Sequence, residues 1–254
     1  MSSPKDGAAW ITGASSGIGR SLALRLAHEG WTVLATARRV EALEELAQQS
    51  DGPNGRILAR PADVTDRDSV RKLVEDTEQE MPIALAVLSA GTFKGDNAEQ
   101  FSSEDFKKTV EVNLVGTAHC IEALMPAWIR RRRGHLAVIS SVAGYRGLPT
   151  SISYGASKAA LINMCEALKF DFDRLGLKVQ VINPGFVRTP LTDQNEFKMP
   201  FLMEADDAAD RIARGLKKSS FEIAFPLRFA CMLKQLRCLP YEAYFPLVRR
   251  TTGK

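Results

Sequence analysis

The chain has few of the residues from which metal centres and disulfide frameworks are built. Its 254 residues include four cysteines, Cys120, Cys165, Cys231 and Cys238, with no CxxC pair, and three widely separated histidines, His28, His119 and His135. No zinc-ligand spacing or Ser/His/Asp arrangement can be read from this, so no metal is expected, and the cysteines are expected to be reduced and mostly buried. Long apolar runs are also missing: "IALAVLSAG" is far too short to span a bilayer, and "MSSPKDGAAW" lacks the apolar core of a signal peptide. The expected compartment is the cytoplasm. Repeats and low-complexity blocks are absent as well.

What is present is the balance of an ordinary globular protein, 45% hydrophobic and 25% charged, with one large domain expected. The net charge of +4 is unevenly spread: residues 226–254 hold six basic side chains (Arg228, Lys234, Arg237, Arg249, Arg250, Lys254) against Glu242 alone. The positive excess therefore belongs to the C-terminal tail.

Short apolar runs alternate with helical periodicities along the chain. Strands are expected in "AAWITG", "WTVLATA", "GRILARPADV", "IALAVLSAG", "GHLAVISS", "KVQVINPG" and "FEIAF". Between them, helices are expected in "ASSGIGRSLALRLAHEG", "VEALEELAQQS", "DRDSVRKLVEDTEQE" with Asp66 as cap, a long helix within Ser103 to Arg132, one carrying "SYGASK", and one around Asp206 to Lys217. Seven strands alternating with helices imply an α/β, doubly wound, Rossmann-like parallel sheet. In such sheets ligands bind beyond the carboxyl ends of the strands.

At the end of the first strand stands "TGASSGIG", which opens directly into a helix. Glycines let the backbone approach a pyrophosphate, and the free N–H groups of a helix start favour its charge. Gly13, Ser15, Ser16, Gly17, Ile18 and Gly19 are therefore candidate cofactor contacts. The second strand ends in "ATARR", where an acid would bind the ribose of NAD; here Ala37 is followed by Arg38, which favours NADP(H) over NAD(H). In "SYGASK" a helix would place Tyr154 and Lys158 on one face, where a cation next to a phenol could promote proton exchange.

With these motifs in order, the chain resembles the short-chain dehydrogenase/reductase family, single-domain branch, from Thr12 to about Phe225. Thr12 to Gly19 matches TGxxxGxG, Leu88 to Gly91 ("LSAG") stands where the family has NNAG, and Tyr154 and Lys158 match YxxxK. The resemblance implies an enzyme acting on CH–OH or C=O groups with Asn113, Ser141, Tyr154 and Lys158 as catalytic residues. Ser140 competes with Ser141, but the family's serine lies thirteen residues before its tyrosine. It further implies cofactor contacts at Asp63, Val64, Ala90, Gly91, Tyr154, Lys158, Pro184, Gly185, Val187 and Thr189. The loss of both NNAG asparagines implies a loosened strand brace, and the segment at about 189–204, with Phe197, Met199, Phe201, Leu202 and Met203, corresponds to the substrate lid.

The reading this implies is an NADP(H)-dependent carbonyl reductase for a lipophilic small molecule, in which Tyr154 donates the proton, Lys158 lowers the phenol pKa, Ser141 steadies the oxyanion and Asn113 links Lys158 to solvent through a water. The alternatives are an NAD-dependent alcohol dehydrogenase working oxidatively, or a cofactor-sensing interaction protein without catalysis. "IRRRRGH" lacks interleaved aromatics, so no nucleic acid partner is expected. The apolar "AALINMCEALKFDF", with Val112, Val115, Leu124 and Trp128, suggests a homodimer or homotetramer. In the extension 226–254, Phe229, Met232, Leu233 and Leu236 form a stripe ended by Pro240, which is expected to dock on the protein in preference to a membrane.

Overall fold

The computed structural model describes residues 2–50, 55–194 and 199–253. Seven strands, β1 (Ala8–Thr12), β2 (Thr32–Thr36), β3 (Arg56–Ala59), β4 (Ile83–Leu88), β5 (His135–Ile139), β6 (Lys178–Pro184) and β7 (Glu222–Phe225), form one parallel sheet. Their order is β3-β2-β1-β4-β5-β6-β7, so the direction of winding reverses between β1 and β4. The third strand is shorter than its sequence run suggests.

Helices cover both faces, which is why the strands are apolar on both sides. The chain runs through α1 (Gly17–His28), α2 (Val40–Gln48), α3 (Arg67–Glu80), α4 (Ser103–Val110), α5 (Gly116–Arg131), α6 (Ile152–Leu175), α7 (Ala205–Leu216), α8 (Leu227–Arg237) and α9 (Tyr241–Thr252). Alternate residues of β1 divide between two cores: Ala8 and Trp10 face Val74, Leu124, Trp128 and Phe172, whereas Ala9 and Ile11 face Leu22, Leu43 and Ile212. Asp66 caps α3 by accepting from the backbone N–H groups of Asp68 and Ser69.

Several expectations change. The long helix within Ser103 to Arg132 is interrupted by a π-helical turn at Glu111–Val115, with fully buried Asn113 at its centre. Leu124 and Trp128, counted toward an oligomer surface, are buried inside the chain; the Trp128 indole donates to the Ile83 carbonyl at 2.7 Å. On α6, Phe170 and Ile152 are large apolar side chains left exposed, at 80% and 42%. Cys120 and Cys165 are buried, but Cys231 and Cys238 are exposed. The tail does dock through Phe229, Ala230 and Leu233, while Met232 of the expected stripe faces solvent. A second helix, α9, follows Pro240. At "LSAG" the Thr12 hydroxyl accepts from the N–H groups of Ser89 and Ala90 at 3.0 and 3.1 Å and ties β1 to the end of β4. Three of the four arginines in "IRRRRGH" have intramolecular partners, Arg131 with Glu78, Arg132 with the Arg174 carbonyl and Arg133 with Asp6. Among the described residues no helix is long and apolar enough to cross a membrane, and no group of three or more potential ligands is placed to hold a metal.

One buried titratable group gives the fold a pH dependence. His135 lies on β5 with Nε2 2.8 Å from the Gln180 side-chain oxygen, and Gln180 donates to the Ser220 carbonyl, so the imidazole carries its proton on Nε2. Burial, aided by Lys178, pulls its pKa from 6.5 to about 3. Between these values the unfolded chain binds the proton and the folded chain does not, so stability falls as pH falls. His135→Gln should remove about 2 kcal/mol of the stability difference between pH 6.5 and pH 5, read from urea unfolding at both.

Candidate active site

The reversal of winding leaves a cavity of about 500 Å³ beyond the strand ends. Eighteen of the nineteen site residues expected from sequence line it; Asn113 does not. The first wall is the turn after β1. Gly13 and Gly17 have φ of +67° and +53°, and a Cβ on Gly19 would lie 2.5 Å from the Gly13 carbonyl oxygen. Side chains would therefore fill this turn or break it. Ser16, at the N-cap of α1, makes no side-chain cap, so the helix start is available to an anion.

Two guanidinium groups stand at one end of the cavity. Arg38 is 74% exposed and 3.9 Å from the Asp63 carboxylate, whose other oxygen accepts from the Thr65 N–H and hydroxyl. Arg39, not singled out from the sequence, reaches back to the Ser15 carbonyl and hydroxyl at 3.3 and 3.2 Å. Ala37 lies between them and β2, so no carboxylate ends that strand. A glycine cradle, a helix start and paired guanidinium groups fit a phosphorylated dinucleotide.

At the other end α6 presents Tyr154 and Lys158. The Lys158 ammonium is buried, donates to the Ile139 carbonyl at 2.9 Å and lies 5.5 Å from the centre of the Tyr154 ring. Burial pulls the Lys158 pKa down to about 8. Burial pushes the Tyr154 phenol up to about 12, and its hydrogen bond with Ser141 counters that rise. The expected lowering of the phenol pKa by Lys158 is thus outweighed by desolvation in the protein alone.

The two serines divide their work. Ser140 donates its hydroxyl to the Lys158 carbonyl at 2.8 Å and pins β5 to α6. Ser141, whose oxygen accepts from the Ala143 N–H, faces Tyr154. Asn113 sits behind the cavity: its oxygen accepts from the Thr92 N–H at 2.7 Å, and its amide donates to the Thr92 carbonyl and the Ser157 hydroxyl, both at 3.0 Å.

Along the β6 side run Pro184, Gly185, Val187 and Thr189. Thr192, unmarked in the sequence reading, supports this stretch by accepting from the Thr189 N–H and donating to the Val187 carbonyl. Met203 pairs with Phe186 and Arg188 and closes the base of the lid segment; Phe197 lies outside the described residues.

The chain is similar to known proteins in sequence and in fold. A model of the short chain dehydrogenase family matches residues 7–199. An uncharacterized oxidoreductase of Myxococcus xanthus is 36% identical over 95% of this chain and 96% of its own. A 3-oxoacyl-[acyl-carrier-protein] reductase of Thermotoga maritima is 34% identical over 72% of this chain and 75% of its own. Among solved structures, a short-chain dehydrogenase from Sphingobium yanoikuyae in complex with NADPH superposes with a TM-score of 0.81 at 25% identity, covering 90% of this chain and 91% of that one.

The division between the serines is testable. Ser141→Ala should cut kcat by about 10²–10³-fold, the scale of one lost oxyanion donor. Ser140→Ala should instead lower stability by about 1 kcal/mol, with a far smaller loss of kcat. Turnover and urea unfolding measured on both variants separate the roles.

Proposed function

The chain belongs to the short-chain dehydrogenase family, oxidoreductases acting on CH–OH and C=O groups, and from that premise we propose that it is an NADP(H)-dependent reductase of a lipophilic ketone or aldehyde. The observation that carries this reading is the Ser141–Tyr154–Lys158 group on one wall of a cavity whose opposite end holds Arg38 and Arg39. When bound, the nicotinamide supplies the hydride.

The rest is the work of this chain's side chains. The glycine turn and the start of α1 take the pyrophosphate, with Asp63, Val64, Ala90 and Gly91 along the adenosine half and Pro184, Gly185, Val187 and Thr189 beside the nicotinamide half. Ser141 and Tyr154 donate hydrogen bonds to the substrate oxygen and steady the charge it develops. Tyr154 then gives up its proton as general acid. Burial holds the phenol in its neutral form, ready for this. Lys158, charged below its pKa of about 8, stands behind the phenol as electrostatic support and as a holder of the nicotinamide ribose. Asn113 serves the site by bracing it, through Thr92 and Ser157.

The lipophilic preference rests on the lid segment, where Met199, Leu202 and Met203 join Phe201; buried sugar hydroxyls would lack partners among them. The protein of Thermotoga maritima, named a reductase of an oxoacyl carrier, supports including β-ketoacyl thioesters among the candidates. Assembly into a homodimer or homotetramer fits exposed Phe170, and the extension 226–254 is read as part of the same domain.

Two measurements test this. A screen of ketones, aldehydes and β-ketoacyl thioesters with NADPH and NADH should find turnover that Tyr154→Phe lowers by about 10²–10⁴-fold, with NADPH affinity nearly unchanged; normal turnover in that variant overturns the mechanism. Arg38→Ala should weaken NADPH binding by about 1.5–3 kcal/mol and hardly affect NADH. Equal losses for both cofactors would remove the phosphate-reading role.

A further inference from the structure

The helix that carries Tyr154 does not cap itself. Ser151 precedes α6 but makes no side-chain bond to its first turn, although the N–H groups there need acceptors. The acceptor comes from a residue far away in sequence. Asp96, in the loop after β4, is 8% exposed; one carboxylate oxygen accepts from the Ile152 N–H at 2.7 Å, the other from the Ser153 N–H at 2.9 Å and from the Ser153 hydroxyl. Its negative charge also suits the positive end of the helix.

The same loop holds the catalytic side chain from two other directions. Phe93 sets its ring edge-on to Tyr154, with centroids 5.1 Å apart and planes at 88°. Thr92 is tied at both its N–H and its carbonyl to the Asn113 side chain. Asn113 donates also to the Ser157 hydroxyl, which in turn donates to the Tyr154 carbonyl at 2.7 Å. The contacts close into a ring that runs from Asn113 through Thr92, Phe93 and Asp96 to the first turn of α6, and back through Tyr154 and Ser157.

We propose that Asp96 is a positioning residue for proton transfer: by clamping the first turn of α6 it fixes the Tyr154 hydroxyl against Ser141. This rests on Tyr154 being the proton donor. The carboxylate is the closing link of the ring because the alternative cap, Ser151, is not engaged. Release of Ile152 and Ser153 would let the helix start fray and the phenol swing away from Ser141, while the glycine turn, some distance along the sheet, keeps its shape. The expected signature is therefore a loss in kcat without a loss in cofactor affinity.

A double-mutant cycle on the full chain separates positioning from general support of the fold. The probe reaction is NADPH oxidation with the carbonyl compound turned over fastest in the screen above. Asp96→Ala should lower kcat at least tenfold in the wild-type background and less than twofold in the Tyr154→Phe background, with the Kd for NADPH within twofold throughout. Hydrogen exchange of the protein alone should lose protection at residues 152–154 and keep it in the rest of α6. Asp96→Asn, which retains one acceptor oxygen, should fold in every case and give a smaller loss that also vanishes with Tyr154→Phe. Equal losses in both backgrounds, an unchanged kcat in Asp96→Ala, or lost protection throughout α6 would each overturn the proposal. Tyr154→Phe alone reads the parent mechanism: full turnover there refutes the proton-donor assignment, whatever Asp96 does.

Discussion

One side-chain amide, that of Asn113, holds the catalytic wall together. It offers a donor and an acceptor at the spacing of a peptide group, so it pairs with Thr92 as a neighbouring strand would, and its second N–H reaches Ser157. An aspartate could not donate and a leucine could do neither; each would leave buried polar groups of Thr92 without partners. The π-helical turn at Glu111–Val115 places this amide where a regular helix would carry it past the loop. The disruption of a long helix is thus offset by the fastening of the loop after β4 to α6.

That fastening makes the electrostatics of the site possible. Tyr154 and Lys158 share one face of α6, as their spacing requires, yet their sites are dry enough that desolvation shifts both toward neutrality. The ammonium is compensated by a carbonyl at the end of β5 and the phenol by Ser141, and both partners lie on the same strand end. Near neutral pH the pair therefore stands as phenol and ammonium. That is the state from which a phenol can give a proton.

The fold was legible because parallel strands buried on both faces read as unbroken apolar runs and the glycine turn marks the first crossover. The cavity was legible because its residues fall in motifs at strand ends. What escaped depends on contacts between distant segments. Nothing in "ATARR" tells that Arg39 folds back on Ser15 while Arg38, largely exposed, lies beside Asp63. Asn113 could be named but not placed behind the cavity, since its partner Thr92 has no distinguishing sequence. The hydrogen bonds from Ser89 and Ala90 to Thr12 cross between neighbouring strands and cannot be read within "LSAG".

The anchor of the tail escaped for the same reason, and it lies beside the turn that follows Ser141. Arg146, five residues after Ser141, donates to the carbonyls of Leu236 and Leu239 at 2.8 and 2.7 Å and so caps the end of α8. Its guanidinium also lies over the rings of Tyr241 and Tyr244, 4.8 and 3.8 Å from their centres. Next to it, Tyr145 donates to Glu222, which Lys234 of α8 and Asn183 of β6 also engage. A lysine could cap one carbonyl but has no flat face to lay on two tyrosines, so this joint needs arginine. Phe229, Leu233, Tyr244 and Val248 are buried in this packing, while Leu227, Met232, Tyr241, Phe245 and Leu247 stay exposed. The extension is therefore held by the turn that carries Ser141, and the geometry of that turn depends on the extension in return.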